Sequence, residues 1–105
     1  EGIQNENIQL PKLPLAPLSH VWHLYVIQVE NRKEFQEYMK MNGIETMIHY
    51  PIPIHKQQAY KKYNAINLIN CETIQNKIVS IPLNSSLDDK SIEYIISTIN
   101  NYQIN

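Results

Sequence analysis

The chain has 105 residues, a single cysteine and a formal charge of -1 from nine basic and ten acidic side chains. Its length predicts one domain with a modest core, and the lone Cys71 excludes an internal disulfide framework. The even charge leaves no field for steering nucleic acid or anionic lipid. No apolar run approaches the roughly 20 residues of a membrane span and no signal peptide opens the chain, so a cytoplasmic protein is expected.

Residues 1–19 lack periodicity. Pro11, Pro14 and Pro17 recur every third residue, which holds the backbone extended and removes donors. The segment reads as a stiff lead-in lying on something else, with a domain following over residues 20–105. HVWHLYVIQVE (20–30) is rich in β-branched and aromatic residues and predicts a strand. Val21, Tyr25, Ile27 and Val29 point one way, and Trp22, Leu24 and Val26 the other. Apolar groups on both faces imply a strand covered on both sides, or one face covered by another domain.

NRKEFQEYMKMNG (31–43) predicts a helix. Asn31 and Glu34 have capping-box spacing, Phe35, Tyr38 and Met39 share a face, and Gly43 suits a left-handed terminus. IETMIHY (44–50) predicts a second strand, stopped by Pro51, which pushes Tyr50 out of the helical region. Gln57 to Tyr63 predicts a helical turn. Asn70 is a candidate cap for a short helix through Ile74 to Lys77, and VSIPL (79–83) for a brief strand. Ser86 and Asp89 form a second capping pair. Ile92, Ile95, Ile96 and Ile99 then make one helical stripe. The predicted order is β-α-β, loop, α-β-α: an α+β two-layer sandwich of a small, mostly antiparallel sheet with helices on one face.

The four histidines lack a ligand spacing for zinc, and His20 and His23 would face opposite sides of a strand. Cys71 has no partner at a catalytic spacing and reads as buried or half-buried. Asp88 and Asp89 suit a helix N-terminus. With only Gly2 and Gly43 there is no glycine-rich phosphate loop. IHYPIPIHKQQAY (48–60) stands apart. Two prolines lower the entropy lost when the loop orders, so it can present His49, Tyr50 and His55 to a polar, sugar-like or phosphorylated ligand with little reorganisation. The structural alternative is a pinned loop whose polar tips cap neighbouring backbone.

Three segments carry a resemblance: HVWHLYVIQVENRKEF, NGIETMIHYPIPIHKQQAY and KIVSIPLNSSLDDKSIEYII. The strongest piece is GI-x-T-x-x-HYP-x-P-x-H-x-x-x-AY, from Gly43 to Tyr60. Over about residues 8–100 the chain resembles the C-terminal part of the DegT/DnrJ/EryC1/StrS family of sugar aminotransferases, which depend on pyridoxal 5'-phosphate (PLP).

The resemblance implies the small C-terminal domain of a fold type I enzyme. It closes a cleft against a large N-terminal domain, usually within a homodimer. The implied reaction moves an amino group from glutamate to a keto sugar attached to a nucleotide, feeding polysaccharide or antibiotic sugar pathways. Thr46, His49, Tyr50, Pro51, Pro53 and His55 match the motif and are expected to shape the wall where the sugar nucleotide enters. His23 matches a structural position. Lys12, Lys33, Lys40, Lys56, Lys61, Lys62, Lys77 and Lys90 do not match the Schiff-base lysine context. PLP is therefore expected in the full-length parent and not in this piece, which is expected to be inactive alone and to have no catalytic, cofactor or metal residue of its own. Its expected partners are the large domain, a homodimer mate and a nucleotide-linked sugar, with neither nucleic acid nor membrane. Alternatives are an accessory or sugar-nucleotide-binding domain without catalysis, or part of a related PLP-dependent sugar dehydratase. The apolar faces predict a surface that self-associates when the domain is isolated.

Overall fold

The computed structural model describes residues 2–16 and 18–104; Pro17, the third lead-in proline, lies outside them. Three antiparallel strands form one sheet in the order β1 (Ile8–Gln9), β2 (Tyr25–Val29), β3 (Ile78–Ile81). The helices are α1 (Arg32–Met41), α2 (Ile69–Lys77) and α3 (Asp89–Asn100), with two 3-10 turns at Ile54–Lys56 and Gln58–Tyr63. This is the expected α+β arrangement.

The pleat of β2 and β3 sorts the side chains. Ile27 pairs with Val79, and both are fully buried. They pack in one core with Phe35 and Met39 of α1, Ile95 and Ile99 of α3, and Ile8, Val29, Ile44 and Tyr102. Tyr102 meets Phe35 edge-on at 5.1 Å between centroids, the geometry aromatic quadrupoles favour. Val26 pairs with Ser80 one residue out of step, so these two face the opposite side of the sheet.

Helix ends show which local signals hold. Gly43 has φ 71°, its N–H donates to Lys40 O at 3.0 Å, and Ile44 N–H donates to Met39 O at 2.9 Å. This is a Schellman terminus, and it carries Ile44 into the core beside Met39. At the start of α1 the Asn31 amide donates to Glu34 at 2.5 Å instead of capping a backbone N–H. α3 begins later than expected. Asn84 Oδ1 accepts from both Ser86 N–H and Ser86 Oγ–H, a turn that occupies Ser86. Asp88 then caps the helix by accepting from Ser91 N–H at 2.8 Å. Ile95 and Ile99 are buried, whereas Ile92 is exposed and Ile96 half-buried. α2 starts after Leu68, with Glu72 reaching back to the Leu68 N–H, so Asn70 is not its cap.

The strands differ more from expectation. The run from His20 contracts to Tyr25–Val29 because Trp22 adopts φ 46°, a left-handed backbone that a strand excludes. The turn stacks the Trp22 ring against His20 at 4.3 Å and Tyr25 at 5.4 Å. The strand expected over 44–50 reduces to one antiparallel bridge, Met47 with Ser80. The N-terminal segment supplies an unexpected strand, β1. It is tied down by Asn5 Nδ2, which donates to Ile99 O at 2.8 Å and Tyr102 O at 2.7 Å. Ile99 O also accepts from Tyr102 N–H at 3.2 Å, so the Asn5 amide adds a second bond at the end of α3, where carbonyls leave the helical ladder.

Candidate functional site

Met47 pairs with Ser80, so Met47 and, two residues on, His49 share the Ser80 face, opposite α1 and α3. His49 Nδ1 and Ser80 Oγ share a hydrogen bond of 2.8 Å, and Ser80 is buried. The next ring, Tyr50, sits edge-on to His49 at 5.7 Å and is 69% exposed. The His49–Tyr50 peptide is cis. An anchored imidazole beside a projecting phenol can donate or accept hydrogen bonds and present an aromatic face to a ligand.

The rest of the motif divides between rim and support. Pro51 and Ile52 are exposed and Pro53 is half-buried. Thr46 points the other way, where its Oγ1 accepts from Gln36 Nε2 of α1 at 3.1 Å. His55 is 6% exposed, and its Nε2 hydrogen-bonds Glu72 Oε1 at 2.9 Å. Lys56 Nζ lies 3.5 Å from the same oxygen. The His55 hydrogen bond, followed by that from Leu68 N–H, holds the Glu72 carboxyl below its usual range, and Lys56 adds to this. The structure thus brings His49 and Tyr50 together on one face and places Thr46 and His55 behind them.

Gln75 is a second anchor. Its buried amide Nε2 donates to the carbonyls of Tyr50 and Pro51, and its own backbone carbonyl accepts from Arg32 Nη1 at 2.5 Å. Sequence reasoning missed Ser80, Glu72 and Gln75. The only available signal was the i, i+3 spacing of Glu72 and Gln75, which puts two polar groups on one face of α2. Cys71 between them is exposed, not buried.

The lysines do not fit a PLP site. A lysine that forms a Schiff base is activated by desolvation or by a neighbouring cation. Here Lys77 is half-buried in an ion pair with Glu30, and the remaining lysines are exposed. Among the described residues no three His, Cys, Asp or Glu side chains converge to hold a metal ion, and no helix is long and apolar enough to cross a membrane.

The architecture is that of solved fold type I aminotransferases. A DegT DnrJ EryC1 StrS aminotransferase from Brucella abortus superposes with a TM-score of 0.78 at 32% identity, over 89% of this chain and 25% of that one. S. venezuelae DesV, in complex with a ketimine intermediate, gives 0.81 at 25% identity, over 94% and 28%. The model of the DegT/DnrJ/EryC1/StrS aminotransferase family matches residues 3–100, and the chain belongs to this family. It is 37% identical over 102 residues to the dTDP-3-amino-3,6-dideoxy-alpha-D-galactopyranose transaminase of Aneurinibacillus thermoaerophilus, covering 97% of this chain and 28% of that protein. The chain therefore spans about a quarter of the length of the relatives it matches.

Proposed function

We propose that this chain forms one wall of the sugar-nucleotide cleft of a PLP-dependent aminotransferase that transfers an amino group from glutamate to a nucleotide-linked keto sugar. Family membership across residues 3–100 supports the reaction class. Several relatives are named as transaminases of dTDP- or UDP-linked sugars. The observation that carries the local reading is the projecting Tyr50 beside a His49 anchored on Ser80. A rim that is already ordered loses little entropy when a ligand docks.

In this reading His49, Tyr50, Pro51 and Pro53 border the ligand, and Thr46 and His55 support them from behind. The cofactor and its lysine belong to a large domain outside this chain, and the cofactor acts as the electron sink. The chain alone is then inactive and binds PLP weakly or not at all. The test is an assay of the full-length polypeptide with glutamate and a panel of keto sugar nucleotides. Release of 2-oxoglutarate that requires a sugar acceptor is expected, and no turnover with any acceptor would overturn the reaction assignment. For the chain alone, a borohydride-reducible PLP adduct on one specific lysine would overturn the division of labour.

A further inference from the structure

We infer that Gln75 and Glu72 of α2 are positioning residues that preset the loop carrying His49 and Tyr50. The two side chains lie three residues apart on one helix and grip the loop at two points. Gln75 Nε2 donates to the carbonyls on either side of the Tyr50–Pro51 bond, and Arg32 from α1 fixes the backbone carbonyl of Gln75. Glu72 takes His55 at the far end of the same loop, with Lys56 beside it. Each grip has a member inside the fold: Gln75 at one point and His55 at the other are each less than a tenth exposed.

The loop needs such a clamp because it has few backbone bonds of its own. Pro51 and Pro53 carry no N–H. Between Tyr50 and Pro53 the Ile52 carbonyl is held by the Gln57 side chain at 3.1 Å, and regular hydrogen bonding resumes with Lys56 N–H to Pro53 O at 2.8 Å. A buried amide spanning two carbonyls is costly to break, because the lost bonds leave unsatisfied groups behind. The clamp thus fixes where the Tyr50 ring projects, and Gln75 and Glu72 act through the loop without touching the ligand.

The kinetic consequence rests on the reading that this face borders the sugar-nucleotide cleft; the structural consequence does not. The test compares wild type, Gln75→Met and Glu72→Gln in the full-length polypeptide. Gln75→Met keeps volume and removes the amide, and Glu72→Gln keeps an acceptor for His55. Over residues 52–57, exchange of the hydrogen-bonded Lys56 and Gln57 amides is expected to quicken about tenfold in Gln75→Met, the size of one lost hydrogen bond, and less in Glu72→Gln. The amides of Ile27 and Val79 are expected to keep their rates. KM for the nucleotide sugar is expected to rise while the glutamate half-reaction is unchanged. Unchanged exchange over 52–57, or a rise shared equally with the sheet, would overturn the clamp. A loosened loop with an unaltered KM would instead overturn the positioning role of Gln75 and Glu72 toward the nucleotide sugar. If the wild-type protein uses no nucleotide sugar, the functional reading fails and the exchange result alone decides the clamp.

Discussion

His49 Nδ1 and Ser80 Oγ sit 2.8 Å apart on the sheet face turned away from α1 and α3. This bond ties the motif segment to the centre of β3, next to the Met47 bridge. Ser80→Ala is expected to cost about 1 kcal/mol of stability, the usual net worth of one hydrogen bond. It should also shift the nitrogen resonances of His49. Urea titration and imidazole NMR together check this, and an unmoved His49 signal would show that the anchor lies elsewhere.

Glu72 sets an acid-side dependence. Its folded carboxyl is held below the ordinary value of 4.5, first by His55, then by Leu68 N–H, with Lys56 adding to it. A depressed carboxyl contributes stability that is complete above the unfolded value and lost as pH falls through the folded one. The stability difference between wild type and Glu72→Gln is therefore expected to be constant above about pH 4.5 and to shrink below it. Denaturation curves across that range test the sign.

Tyr102 Oη is buried without a hydrogen-bond partner among the described residues. Burial, with the charge of Glu34, raises its pKa. Tyr102→Phe removes the orphaned group and keeps the ring against Phe35. Stability is expected to stay level or rise by about 1 kcal/mol, as read by thermal unfolding. A clear loss would reveal a partner for the hydroxyl.

Ile27 and Val79 pair at the centre of the sheet with no exposed surface. Ile27→Ala is expected to cost about 2–5 kcal/mol, from lost transfer energy and the cavity left behind. Val26→Ala, on the half-buried opposite face, should cost distinctly less. Equal losses in chemical denaturation would mean that both faces are equally packed.

Leu13, Leu15, Leu18 and Val21 are all exposed, as are Met47, Ile52 and Ile54 around the motif loop. Contiguous exposed apolar surface marks sites of association. The isolated chain is expected to self-associate with rising concentration in sedimentation experiments. A monomer throughout would show that these residues do not form a continuous patch.

Much of the local architecture was legible in the residues. Gly43 announced its helix end because a left-handed terminus needs a residue without Cβ. The α1 face and the buried half of the α3 stripe followed from helical period. The HYP-x-P-x-H segment stood out through its stiffness and its side chains. Three departures had non-local causes. Trp22 turns back to stack on His20 and Tyr25, Met47 meets Ser80 from 33 positions away along the chain, and Asn5 closes the far end of α3.

Period, capping chemistry and proline content act over a few residues, so the chain alone determined which segments are helical, that α1 stops at Gly43 and which loop is stiffened by prolines. Tertiary structure decided which side of the sheet that loop decorates and what holds it. Ser80, Glu72 and Gln75 become partners of His49, His55 and Tyr50 only through the packing of distant segments. The physical reason is that a hydrogen bond reads distance in space, and separations of 17 to 31 residues leave no local trace in the sequence.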